Sequence, residues 1–451
     1  MLKYDYDNIE LKTMKTLYKI LLFCGVTVLL FSSCRKEFDD DFVNPNIRKC
    51  KNYTQQFEAV WQGMDQGYVF WGRDTVDWDA RYEQYRSVFE EFDSRPKNKP
   101  VTEWEYASAY SGLFEGLLDH HLTGRFYSPK GGFETWVSPG RNDYYHSTSS
   151  SYERTKQLAV LKKMAIEGTY YACDPAEYGS ISIPGTYTCL LPGPEDGGVI
   201  AYFRFTNFYL MDIYRYRDAL PNGTTVQEPL KKFYGPRYWE GINEKAGYAN
   251  SDSVVGIILD LRGNGGGSVA DLEPFIGAFS QTPTLVGYTR VKDGFGRLDY
   301  SPWSESIVKT PARHLTKEKP VVVLSDVTSV SCSELATMLI KALPYGVFIG
   351  ERTYGAVGGL YAGNATDIYH DLFYGGCFGD SQYWENGVDP YSDIFSFYIY
   401  TSTFHMVDRD YNDVEGVGVQ PDIEVLYSAE SLERGKDSQL ERAIRYIKVG
   451  H

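Results

Sequence analysis

The sequence predicts an α/β protein: a parallel sheet covered on both faces, preceded by a small helical domain. Three observations predict it. Residues 199–205, 254–261 and 320–324 are short, nearly continuous apolar runs, which is how strands buried on both faces read. Helical patterning separates them, as a parallel connection requires. Upstream, residues 52–120 carry helical periodicity with no strand-like run.

Composition narrows the function. The 451 residues hold 45 Lys+Arg against 60 Asp+Glu, a formal charge of −15. No basic run relieves that charge, so a polyanion is repelled and nucleic acid is excluded as a partner. At 43% hydrophobic and 23% charged residues, the chain is globular rather than disordered or many times membrane-spanning. Its 38 tyrosines suit a surface protein, but core packing accounts for them equally well.

The elements follow in order. From Met14, the basic residues Lys15 and Lys19 precede an apolar run over 20–31, then Ser32 and Ser33 before Cys34. That is the layout of a signal peptide, with a run too short for a transmembrane helix. Residues 1–13 carry Asp5, Asp7 and Glu10 and do not belong to such a signal. Met14 is therefore the expected start, and 1–33 the expected signal peptide. Ser32-Ser33-Cys34 resembles the bacterial lipoprotein box, with Phe31 where Leu is usual. The resemblance implies lipidation at Cys34 and a tether over 34–51. Arg35-Lys36-Glu37-Phe38-Asp39-Asp40-Asp41 resembles the acidic stretch that sends Bacteroidetes lipoproteins to the cell surface, which implies an outer-membrane, surface-exposed location.

Residues 52–121 read as an N-terminal helical domain: Phe57, Val60 and Trp61 share one face, then Trp78, Tyr82, Tyr85 and Phe89, then Tyr106, Tyr110, Leu113 and Leu117. The stretch 122–197 is rich in Gly, Pro, Ser and Tyr and reads as an irregular linker or insert, apart from a helix near 152–166. Residues 198–451 form the α/β core. Strands are expected at 199–205, 254–261, 320–324 and 347–350, with helices at 226–247, 269–279 and 332–343 and a last helix bearing Leu440, Ala443, Ile444 and Ile447. Beyond Cys34 remain Cys50, Cys173, Cys189, Cys332 and Cys377, with no Cys-x-x-Cys pair and no His at ligand spacing. No metal or other cofactor is expected. Cys173 and Cys189 flank a Gly/Pro-containing stretch and are a candidate disulfide.

Two segments carry chemistry. After the strand at 254–261 comes Arg262-Gly263-Asn264-Gly265-Gly266-Gly267. Such a glycine run lets backbone amides approach a ligand, but it is neither a dinucleotide fingerprint nor a phosphate loop. Amides aimed at a developing oxyanion fit it better. The second segment, Ser325 to Leu335, ends a strand in a polar turn and opens a helix through Ser329, Ser331 and Ser333. A nucleophile there places its oxyanion at unsatisfied helix amides, although serines at a helix start also serve as plain caps.

Together the two segments resemble the tail-specific, or C-terminal processing, serine peptidase family, with its Asp-Leu-Arg-x-Asn-x-Gly-Gly loop and Ser-Ala-Ser-Ala-Ser-Glu helix start. Here these read Asp260 to Gly267 and Ser329-Val330-Ser331-Cys332-Ser333-Glu334. Gly350 to Gly355, Glu415 to Asp422 and Asp437 to Ala443 add further matches. The resemblance implies a crotonase/ClpP-like ββα core behind a helical cap, Ser331 as nucleophile, and the amides of Gly267 and Cys332 as oxyanion donors. The family's Lys base position holds Ala356, and Lys341 lies on the wrong element to replace it. In the tricorn-like and interphotoreceptor-retinoid-binding-like branch a histidine at the end of the cap is the base, which falls on His121 with His120 as its neighbour; a glutamate there corresponds to Glu415. No Gly-Leu-Gly-type carboxylate loop occurs in 122–197, so no PDZ domain is predicted. His146, His314, His370 and His405 lie in no matching motif and are expected to be surface or packing residues.

The implied function is a serine endopeptidase acting on extracytoplasmic proteins or peptides. Two alternatives stay open: a catalytically inactive ligand-binding lipoprotein on the same fold, and a glycan-binding surface protein, which only the aromatic content supports.

Overall fold

In the computed structural model the described residues are 50–450, apart from 128–132, 138–150, 179–180, 196, 216–226, 237–246, 295, 316, 360–376, 380 and 381–393. The expected signal peptide, Cys34 and the expected tether up to residue 49, together with His146 and His370, lie outside them. Among the described residues no helix is long and apolar enough to cross a membrane.

Three helices open the described chain, and each begins at a side-chain cap. Asn52 accepts from the Gln55 N–H ahead of Tyr53–Gly67, Asp77 from the Ala80 N–H ahead of Trp78–Ser94, and Thr102 with Glu105 forms a capping box ahead of Glu103–Leu113. Each cap satisfies an amide the helix leaves unpaired. The faces expected from the periodicity meet in an aromatic core, with Phe57 on Phe89 at 5.0 Å and Tyr106 on Tyr110 at 5.0 Å between ring centres. Much of the chain's aromatic excess is therefore packing.

The main sheet has seven strands in the order 423–424, 346–350, 321–325, 254–260, 199–205, 186–192, 171–173. The first five run parallel; the last two are antiparallel additions. Alternate residues enter two separate cores. Phe203, Leu259 and Val323 pack with Ala336 and Leu339 of the helix Cys332–Ala342. Tyr202, Ile258 and Leu324 pack with Leu440, Ala443 and Ile447 of the terminal helix Ser438–Val449. Both faces of the strands 199–205, 254–260 and 321–325 are buried, which is why the runs show no alternation. Each Phe, Leu, Ile or Val among them contributes ~1.5–3 kcal/mol on burial.

The interval 122–197, expected as an irregular linker or insert of loops and short strands, supplies strands to two sheets. Strands Tyr171–Cys173 and Thr186–Pro192 extend the main sheet, while Thr123–Tyr127 pairs with Ser396–Tyr400 in a second sheet. Thr123–Tyr127 has a distant partner and Tyr171–Cys173 is only three residues long, so local patterning hides them. The expected helix at 226–247 is described only as Glu228–Tyr234. The expected helix at 269–279 is a succession of 3₁₀ and π turns, with Pro274 at its centre; proline removes an N–H and blocks a regular α turn.

The candidate disulfide is absent: Cys173 and Cys189 are free. Cys173 lies opposite Thr186, and Cys189, three residues along that strand, points to the other face. One thiol packs in each of the two cores, so the sheet itself separates them. Burial pushes the Cys173 thiol up to about 11.

Candidate active site

The glycine loop is anchored before it reaches the site. Arg262 pairs with Asp260 (2.6 Å) and with Asp437 (2.9 Å), both buried, so the terminal helix braces the loop's first residue. Asn264 donates to the Phe205 carbonyl and accepts from the Gly266 N–H, both at 2.9 Å. Its carbonyl accepts from the Val330 N–H at 3.0 Å, which locks the loop to the serine-rich turn. A Cβ at Gly266 (φ +82°) would lie 2.7 Å from the Ser331 Cβ, and one at Gly267 (φ +137°) 2.6 Å from the Phe208 carbonyl oxygen. Only glycine fits either place.

The strand Val321–Ser325 runs into this loop's flank. Asp326 accepts from Thr328 and, at 3.3 Å, from the Gly263 N–H. The three serines then separate by environment. Ser329 is buried and spends its hydroxyl on the Leu261 carbonyl at 2.8 Å. Ser333 is buried at 0% exposure. Ser331 is half-buried and has φ +59°, a conformation costly for a non-glycine residue and typical of functional positions.

Glu334, which sequence reasoning passed over, holds Ser331 in that state. Its buried carboxylate accepts from the N–H groups of Ser331 (3.0 Å), Gly355 (2.8 Å) and Ala356 (2.8 Å) and from the Thr353 hydroxyl (2.6 Å). Burial raises its pKa, against the pull of these donors. A buried Glu three residues into a helix that starts on Ser is a capping-box signal, and it was the available clue.

Glu415 repeats the arrangement one step along the same loop. It accepts from the Val357 and Gly358 N–H groups, each at 3.0 Å, and from the His120 N–H at 3.0 Å. Burial holds its carboxyl well above the usual range, with Asp119 adding to the effect. Four consecutive amides, 355–358, thus join the Ser331 helix to the histidine segment. His121 is buried, and one of its ring nitrogens, a Glu415 oxygen and an Asp119 oxygen lie within 4.8 Å of one another. The His120 ring rests on Tyr354 at 5.0 Å. Both carboxylates of that trio are occupied by N–H and O–H donors of the chain.

Other expectations fall elsewhere. Ala356, where the resemblance has a lysine, is fully buried. Lys341 bonds Gln420 and Asp422 at the far end of its helix. His314 meets the Pro311 carbonyl, and His405 is buried on Asp413 at 2.7 Å between Phe70 and Trp303, where burial lowers its pKa.

A mostly parallel sheet behind a helical region, with a serine-started helix against a glycine loop, is the α/β fold the sequence predicted. Residues 230–425 match the family model described as peptidase family S41. Among solved structures, a candidate peptidase from Parabacteroides merdae is 19% identical with a TM-score of 0.56, covering 88% of this chain and 96% of its own. Mature CPAF complexed with lactacystin is 12% identical with a TM-score of 0.52, covering 89% and 98%. At these identities the likeness is one of fold. No curated protein sequence matches the chain.

Proposed function

We propose that the chain is a serine endopeptidase in which Ser331 attacks a peptide carbonyl, His121 takes its proton, and Glu415 orients the imidazole. The observation that carries this reading is the separation of the three serines: only Ser331 is left partly exposed, in a strained conformation, against Gly266. A serine hydroxyl needs a base to become nucleophilic. His121 sits on the segment that Glu415 fastens to the 355–358 loop, and Glu334 fastens Ser331 to the same loop.

The first step forms the Oγ–carbon bond as the Ser331 proton passes to His121. The carbonyl oxygen becomes an anion facing the amides of Cys332 and Gly267. Cys332 is the first residue of its helix, where the N–H has no intrahelical acceptor; such donors are typically worth ~10²–10³ in turnover. His121 then gives its proton to the departing amine, and water hydrolyses the acyl-enzyme by the reverse sequence. Glu415, raised in pKa by burial, acts through hydrogen bonds, and one of its oxygens lies within 4.8 Å of a ring nitrogen, a distance one water can bridge. The substrates are proteins or peptides outside the cytoplasm. The chain is a lipoprotein anchored through Cys34 at the outer membrane, on the strength of Ser32-Ser33-Cys34 and the acidic run after it.

A fluorophosphonate probe tests the nucleophile. Wild type is expected to be labelled and to cleave denatured casein, and Ser331→Ala to do neither. An unlabelled wild type would favour the inactive, ligand-binding reading, for which the buried Ala356 at the family's lysine position speaks. Radiolabelled fatty acid should enter wild type and not Cys34→Ala; equal labelling removes the anchor.

A further inference from the structure

Asp119 is wholly buried and accepts four hydrogen bonds. One oxygen takes the His121 N–H (2.9 Å) and the Ser402 hydroxyl (2.9 Å); the other takes the Thr401 hydroxyl (2.7 Å) and the Ser402 N–H (2.8 Å). The carboxylate therefore bolts the histidine segment to a strand end 283 residues away. The same segment is held from its other side, where the Asp119 N–H donates to the Tyr68 hydroxyl at 3.1 Å, and both Tyr68 and the Leu118 N–H donate to Asp74. Ser402 also backs Gly358, whose N–H serves Glu415: a Cβ at Gly358 would lie 2.6 Å from the Ser402 hydroxyl. Asp119 and Glu415 thus hold the two sides of His121 through one shared neighbourhood.

We propose that Asp119 is a positioning residue that sets the His121 imidazole by hooking its segment onto Thr401 and Ser402. The inference rests on the reading of His121 as the base. Asparagine is the informative replacement. Each Asp119 oxygen faces one peptide N–H and one hydroxyl; a hydroxyl can turn round and a peptide N–H cannot, so Asn sets its NH2 against an N–H in either orientation.

The test uses the full chain as wild type, Asp119→Asn, His121→Gln and the double variant. Asp119→Asn is expected to keep a cooperative thermal transition, to lower kcat by ~10²-fold and fluorophosphonate labelling in proportion, and to leave KM within about threefold. The double variant is expected to be no slower than His121→Gln alone, because one residue acts through the other. Unchanged kcat in Asp119→Asn, or losses that multiply in the double variant, would overturn the proposal. If Asp119→Asn does not fold, Thr401→Ala/Ser402→Ala removes only the two hydroxyls; a fall of ~10-fold in kcat without a further loss on His121→Gln supports the proposal, and unchanged kcat overturns it. A wild type without Ser331-dependent turnover would sink the peptidase reading instead. Positioning is then read from the NMR chemical shifts of the His121 ring, which should change in Asp119→Asn; an unchanged ring spectrum overturns it.

Discussion

The backbone N–H of His120 donates to Glu415 at 3.0 Å across 295 residues of sequence. The glutamate's other oxygen accepts from Val357 and Gly358. A buried acid bonded to three peptide N–H groups fixes three chain segments at once, and its ionisation state is coupled to folding.

That coupling has a sign. The folded-state pKa of Glu415 is raised by burial, so its contribution to stability is complete below the ordinary carboxyl value of ~4.3 and is lost as pH rises from there through the folded value. Glu415→Gln cannot ionise. The difference in unfolding free energy, variant minus wild type, should therefore grow in the variant's favour between pH 5 and 8, by at most about 1.4 kcal/mol per unit. Denaturant titrations across that range check it, and a pH-independent difference would refute it.

Activity should rise with pH along an acid limb, because His121 must be neutral to accept a proton. His121→Gln, normalised to folded protein, should remove turnover. If turnover survives with the pH profile unchanged, the base lies elsewhere, and His120 becomes the next candidate.

Gly266→Ala places a methyl 2.6 Å from the Val330 carbonyl and 2.7 Å from the Ser331 Cβ, at φ +82°. Overpacking of this kind costs ~1–3 kcal/mol. A displacement of Ser331 by a fraction of an ångström should lower kcat by ~10²-fold. Thermal melts and fluorophosphonate labelling rates measure the two effects separately. Wild-type labelling in the variant would show that the loop does not seat the serine.

Cys173 and Cys189 should both alkylate after denaturation without reductant, because opposite faces of the sheet keep them apart. In the folded protein both should be protected, since each is buried. Peptide mass mapping reads both states, and a bridged Cys173–Cys189 peptide would contradict the fold.

Much of the architecture could be read locally. The strands Val199–Phe205, Val254–Asp260, Val321–Ser325 and Gly346–Gly350 stand where the apolar runs predicted them, because burial on both faces leaves a signal that needs no partner to be recognised. Tyr171–Cys173 and Thr186–Pro192 could not be read that way. Thr186–Pro192 takes its place by pairing with Val199–Phe205, and the edge strand Tyr171–Cys173 by pairing with Thr186–Pro192; neither pairing is marked by local pattern. The disulfide expectation failed for a related reason: sequence spacing does not say which face of a strand a cysteine occupies.

For the site, the sequence alone determined the chemical vocabulary: a glycine loop after a buried strand and three serines at a helix start, with His121 and Glu415 far away on either side. Tertiary structure alone decided how those parts differ. Ser329 and Ser333 were taken into the interior and Ser331 was left at φ +59°. Glu334, Glu415 and Asp119 became hydrogen-bonded joints between segments as much as 295 residues apart. The physical reason is that a buried carboxylate must find donors, and here those donors are mostly peptide N–H groups. Every residue but proline carries one, so the sequence holds no mark of which will be used.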